Sequence, residues 1–137
     1  MAAFVKFNDF VEQVGLKNHN LNTDTLKAFL TNEQPLATDT VKGDMAEISA
    51  GNGYTAGGED TQNVWSEASG TASVVCTDIV WTCVTAPMPT FRFVVIYNDS
   101  GATKYLVGWY DYGVGGVSLL VGETFTLDFG ASLLTLA

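Results

Sequence analysis

The run "VGWYDYG", Val107 to Gly113, crowds three aromatic side chains and a carboxylate into four consecutive positions, Trp109 to Tyr112. On an extended strand the side chains alternate between faces. Val107, Trp109 and Asp111 then share one side, and Gly108, Tyr110 and Tyr112 the other. An aromatic face open to solvent above a glycine, with an acid nearby, has the chemistry of a sugar-stacking platform, so Trp109, Tyr110 and Tyr112 form a candidate glycan site. The same residues serve equally as core on one face and as a contact with a neighbouring subunit on the other.

Other chemistry-bearing residues have simpler uses. His19 is the only histidine, and its surroundings, "KNHNLN", hold neither a cysteine nor a carboxylate pattern, which points to a surface-loop histidine. A Ser-His-Asp mechanism would need a nucleophile elbow, and no "GxSxG" occurs. The glycine-rich "GNGYTAGGED" lacks the Lys-Ser/Thr pair of a phosphate loop. Its acids, Glu59 and Asp60, are adjacent instead of alternating as in a calcium loop. Its glycines are better suited to positive φ angles. "NDS" at 98–100 has the form of a glycosylation acceptor but reads more simply as a turn.

Cys76 and Cys83, seven residues apart, would lie about 23 Å apart on one extended strand, far beyond the ~7 Å that a disulfide allows between Cα atoms. A tight hairpin does not bring them together either, so two buried thiols are expected. Neither catalytic residues, nor metal ligands, nor a cofactor site is expected from these patterns.

The elements that position these residues are mostly strands. Phe4, Phe7, Phe10, Val11 and Val14 fall at helical spacings before Gly15, predicting an amphipathic N-terminal helix within residues 1–15. In "TLKAFL", Leu26, Ala28 and Leu30 alternate with Lys27 and Phe29, predicting a half-buried strand closed by Pro35. Residues 36–63 are rich in Gly, Thr, Asp and Asn and read as a long loop with one helical turn near residues 44–48. Loops of that length are usually functional or ordered by a partner. From Val64 on, "VWSEA", "TASVVC", "IVWTCV", "FRFVVIYN", "YLVGWYDY", "VSLLV", "TFTLDF" and "LLTLA" read as strands separated by turn residues. The fold class predicted is mainly β, a single domain over 1–137 built as an antiparallel β-sandwich or jelly roll.

Charge narrows the partners. Fifteen acidic residues against six basic ones give a formal charge of −9, which disfavours direct contact with nucleic acid. Lys6, Asp9 and Glu12 interrupt the opening residues before an apolar stretch of signal-peptide length can form. No run approaches the ~20 apolar residues of a bilayer span. Synthesis in the cytoplasm and no membrane partner are the expectations.

Taken in order, "TLKAFLTNEQP", "EISAGNGYTAGG", "FRFVVIYND", "GWYDYG", "GETFTLDF" and the terminal "LLTLA" resemble a group of small structural proteins encoded in the virion gene clusters of tailed bacteriophages. The resemblance runs from about residue 4 to the end, and its motifs are specific as a set and weak singly. It implies a virion protein made in the host bacterium, with capsid decoration, or cement, as the favoured role and a glycan-binding head or tail-fibre adhesin, or a tail component, as the alternatives. The implied partners are the major capsid protein and further copies of the chain, as a homodimer or homotrimer. The negative charge favours the capsid exterior, away from packaged DNA. Phe4, Phe7 and Val11 of the N-terminal segment and Tyr54 of the long loop are the expected contact residues. Some relatives carry a longer, proline-bearing loop after "YND" where this chain has the compact "NDSGATK", so contacts made by that loop would not carry over.

Overall fold

The computed structural model describes residues 2–137. In chain order its elements are β1 (Phe4–Lys6), α1 (Asp9–Gly15), β2 (Leu26–Thr31), β3 (Glu59–Asp60), β4 (Val64–Ala68), β5 (Thr71–Val75), β6 (Ile79–Thr82), β7 (Phe93–Asn98), β8 (Leu106–Asp111), β9 (Thr124–Leu127) and β10 (Leu134–Leu136), with a 3-10 turn at Lys42–Asp44. The chain is mainly β. Its sheets have the orders β1-β8-β7-β2-β3, β10-β5-β4 and β6-β9, and every strand pair is antiparallel. No helix among the described residues is long and apolar enough to cross a membrane.

The largest sheet is covered on both faces, as its sequence requires. "FVVIYN" has no charged side chain, and all six residues of β7 are buried. Register places Phe4, Tyr110, Val94 and Leu30 in a row across one face, and Val5, Trp109, Val95 and Phe29 across the other. Phe129, just after β9, meets Tyr110 on the first face with ring centroids 6.4 Å apart. On the second face Phe7 packs on Trp109 at 4.6 Å, and the Lys42 ammonium sits 4.9 Å from the Phe29 ring centroid.

This two-sided cover corrects the expectation for "TLKAFL". Phe29 is as fully buried as Leu26, Ala28 and Leu30, and only Lys27 remains part-exposed. The cover comes from the segment expected to be loop. Residues 36–58 are largely irregular, with their turn at Lys42–Asp44 instead of 44–48, yet Met45, Ile48 and Tyr54 are buried in the core. The segment also completes the edge of β2 beyond its two-residue pairing with β3. The Ile48 N–H donates to the Leu30 carbonyl at 2.9 Å, and the Leu30 N–H donates to the Tyr54 hydroxyl at 3.3 Å. Open strand edges are pairing templates, and this one is closed by a loop and a side chain.

Glu47 fixes the cover in place. Its carboxylate accepts from the Tyr54 hydroxyl at 2.5 Å, the Gly57 N–H at 2.9 Å and the Lys42 ammonium at 3.1 Å. The Tyr97 hydroxyl, from β7, donates to the Gly57 carbonyl at 2.7 Å. Burial works to raise the Glu47 pKa, but the Tyr54, Gly57 and Lys42 donors outweigh it and hold the carboxyl below its ordinary range.

The N-terminal segment also departs from expectation. Helix α1 begins only at Asp9, and Phe4–Lys6 instead pair with β8, Phe4 opposite Tyr110 and Lys6 opposite Gly108. Gly108 makes this possible, because a Cβ there would run into the Phe4 ring and the Val5 carbonyl. The spacing that suggested one apolar helix face is divided between two elements, with Phe7 buried between them. "VSLLV" is likewise not a strand. Val117 makes an isolated bridge to Phe91, Leu119 is buried, and Leu120 and Val121 are exposed. Both thiols are free and buried, and burial pushes Cys76 up to about 11.

Candidate binding cleft

The residues expected to act at the surface are mostly internal. Trp109 and Tyr110 point to opposite faces of β8, but they are only 8 % and 3 % exposed. Tyr110 lies between Phe4 at 5.5 Å and Phe129 at 6.4 Å, while Tyr112 is half-buried against Phe125 at 4.9 Å. The glycine beneath the aromatics, which a sugar platform would leave open, is occupied by Phe4. The glycan arrangement of Trp109, Tyr110 and Tyr112 is therefore corrected: Trp109 and Tyr110 are core side chains on opposite faces of the sheet, and Tyr112 is half-buried beside Tyr110. Of the expected contact residues, Phe7 and Tyr54 are buried, Phe4 is half-buried, and only Val11 is well exposed, at 57 %.

Val11 leads to the surface that remains. A cleft of about 570 Å³ lies between the end of α1, the turn after it and strands β4 and β10, with Val14, Lys17, His19, Trp65 and Leu136 in its walls. A narrower apolar trough of about 150 Å³ continues past Val14 and Leu136 to Val11, Leu134 and Lys6. Register aligns Leu134, Val74 and Trp65 across the three-stranded sheet. Leu136, two residues on, keeps the same face, yet it remains 48 % exposed because it borders the cleft. Both β1 and β10 are terminal strands in their sheets, paired on one side only, and each contributes to the trough.

His19 is buried in the cleft wall, at 6 % exposure, which corrects the surface-loop expectation. Its ring packs 5.0 Å from Phe10, in the preceding helix, and 6.0 Å from Tyr105, a side chain distant in sequence that the fold brings to it. The Asn98 amide oxygen accepts from Ser100 N–H at 2.9 Å, and its nitrogen reaches Asp24 at 2.7 Å and His19 Nδ1 at 3.0 Å. Nδ1 is therefore an acceptor and the imidazole proton sits on Nε2, which is buried without a hydrogen-bond partner.

Burial lowers the His19 pKa below 6.5, and the negative charges of Asp24 and Asp9 oppose it without prevailing. As pH falls through the unfolded-state value, the unfolded chain gains a proton that the folded chain resists. Stability is therefore full above about pH 6.5 and declines below it. The melting temperature is expected to fall between pH 7 and about 5 in the wild type and to stay nearly level in His19→Gln. Acids with lowered pKa values do not enter until about pH 4.5 and below. Equal slopes in thermal melts of the two proteins would remove His19 as the cause.

Family models, curated proteins and solved structures return no match for this chain. The cleft is thus described by its own chemistry. Its charge is distinctive. Lys27 and Lys104 pair with Asp99, Lys42 with Glu47, and Arg92 with Asp111, at 2.8–3.2 Å. Among the described residues, the remaining two cations, Lys6 and Lys17, have no carboxylate at ion-pair distance, and both line this surface. No group of three or more His, Cys, Asp or Glu side chains gathers for a metal among those residues. Helical spacing and the apolar alternation in "LLTLA" hint at Val11 and Leu136 from sequence. Lys6, Lys17 and His19 emerge only once their distant neighbours are placed.

Proposed function

We propose that this chain is a non-enzymatic structural protein of a tailed-bacteriophage virion, a decoration or cement protein on the outer head surface. In this reading its sheets pack as a β-sandwich, and copies, as homodimers or homotrimers, bridge neighbouring major capsid subunits. Added contact area must then be broken before the shell can open, and a modest interface repeated over a closed lattice gives a large total stabilisation. The chain is made in the cytoplasm of the host bacterium and resides on the capsid exterior.

The observation that carries the reading is the trough itself. It is apolar, open, and bordered by two unpaired strand edges on a chain of formal charge −9. An apolar trough beside open strand edges supports contact with another protein, because unpaired edges supply backbone donors and acceptors to a partner. The acidic remainder suits a position away from packaged DNA. The ordered sequence resemblance to phage structural proteins supplies the context.

Quantitative mass spectrometry of purified virions, counting this chain against the major capsid protein, tests the proposal. Hundreds of copies are expected. A count of a few dozen or fewer would place the protein in a tail, fibre or vertex and end the decoration reading.

A further inference from the structure

We propose that the trough between β1, α1 and β10 receives an extended segment of a partner protein, apolar in its middle and acidic at its ends, added as a strand to the open edge of β10. The partner's identity as a capsid protein rests on the function proposed above; the chemistry of the segment rests on the site alone.

The open edge argues for a polypeptide. β10 pairs with β5 on one side and has no strand on the other, and an unpaired edge supplies backbone donors and acceptors to an incoming strand. Its three residues offer about 10 Å of pairing. Leu134 and Leu136 share the face toward the trough, opposite Val11 and Val14 of α1. A strand beside β10 would set alternate side chains over those valines. Such a segment should therefore alternate apolar and polar residues.

Charge argues for acids at its ends. Lys6 borders the trough at one end and Lys17 lines the wider cleft at the other. All four of the other cations are already paired. An acidic segment is repelled by a chain of net charge −9 in general and attracted here in particular, which fixes both place and register. A second copy of the chain is the weaker candidate, because two surfaces of the same negative sign must approach.

The probe is a short synthetic peptide of alternating Val and Thr with Asp at both ends, labelled for fluorescence anisotropy, beside a counterpart with Lys at both ends. The Asp-ended peptide is expected to bind the wild type in a salt-sensitive manner. Binding should weaken about tenfold or more in the Lys6→Glu/Lys17→Glu double variant. Both lysines are exposed, so the variant should melt as the wild type does. The Lys-ended peptide should show the opposite preference. No binding of the Asp-ended peptide, equal binding of both, or binding unaffected by the double substitution would overturn the proposal. A concentration-dependent dimer in sedimentation that the double substitution abolishes would assign the trough to a second copy and also overturn it.

Virion incorporation separates the two levels of inference. Wild type and double variant present equally in hundreds of copies would remove the trough and leave decoration standing. Absence of the wild type from virions would remove decoration, and the peptide result would still decide the trough.

Discussion

Gly58→Ala is expected to lower folding stability by about 3 kcal/mol or more, well beyond the cost of the same change at Gly57. Both glycines have positive φ, +89° at Gly57 and +80° at Gly58, so both substitutions incur backbone strain of about 1–2 kcal/mol. Their surroundings differ. A Cβ on Gly57 would find only the Tyr97 hydroxyl, at 3.5 Å, whereas one on Gly58 would collide with the Ala28 carbonyl and crowd the Phe29 Cα. Those are backbone atoms of a strand paired on both sides and cannot rotate away. Urea denaturation of the two variants checks this, and equal midpoints would refute the close approach of the 55–58 turn to β2.

Tyr54→Phe is expected to cost about 2 kcal/mol at neutral pH, because two partners lose one hydroxyl. The Leu30 N–H, in a buried strand, loses its acceptor, and Glu47 loses its closest donor. By contrast Tyr112→Phe, at a half-buried ring, should stay within about 0.5 kcal/mol. The Tyr54 effect carries a pH signature. Glu47 has a depressed pKa when folded, so its contribution is present above the unfolded-state value of about 4.5 and is lost as pH falls through the folded one. The stability gap between wild type and Tyr54→Phe should therefore narrow below about pH 4. A gap constant from pH 7 to 3 would show that the carboxylate plays no part. Tyr54, expected at a surface contact, thus belongs to the internal clasp that holds the cover on the sheet.

The legible parts of this fold are those whose pattern is local. Strands β4 to β8 and β9 and β10 fall within runs set off by alternation and turn residues, and the two aromatic runs are neighbours, with Val94 opposite Tyr110. The misread parts depend on partners distant in sequence. Phe4 to Lys6 are too short to announce a strand, and their pairing depends on a gap at Gly108. The alternation in "TLKAFL" correctly indicates a strand, but burial of Phe29 depends on residues 36–58 returning across its face. The binding cleft follows the same rule. Val11 is apolar at helical spacing and can be noticed, whereas an unpaired lysine is defined only by where the fifteen acids fall.

The order β1-β8-β7-β2-β3 also governs when the protein can fold. Among the described residues, β7–β8 is the one pairing in that sheet between strands joined by a short connection; β2 and β3, though consecutive, pair across the long segment of residues 32–58. β2 must wait for β7, and β1 for β8. Such long-range closure is slow compared with the folding of helical domains of similar size. During synthesis Phe4, Phe7 and the run Leu26 to Leu30 are therefore without their β7 and β8 neighbours until residues 93–111 have emerged. In that interval the nascent chains have little packing to protect them, and their shared negative charge is what keeps neighbouring copies apart.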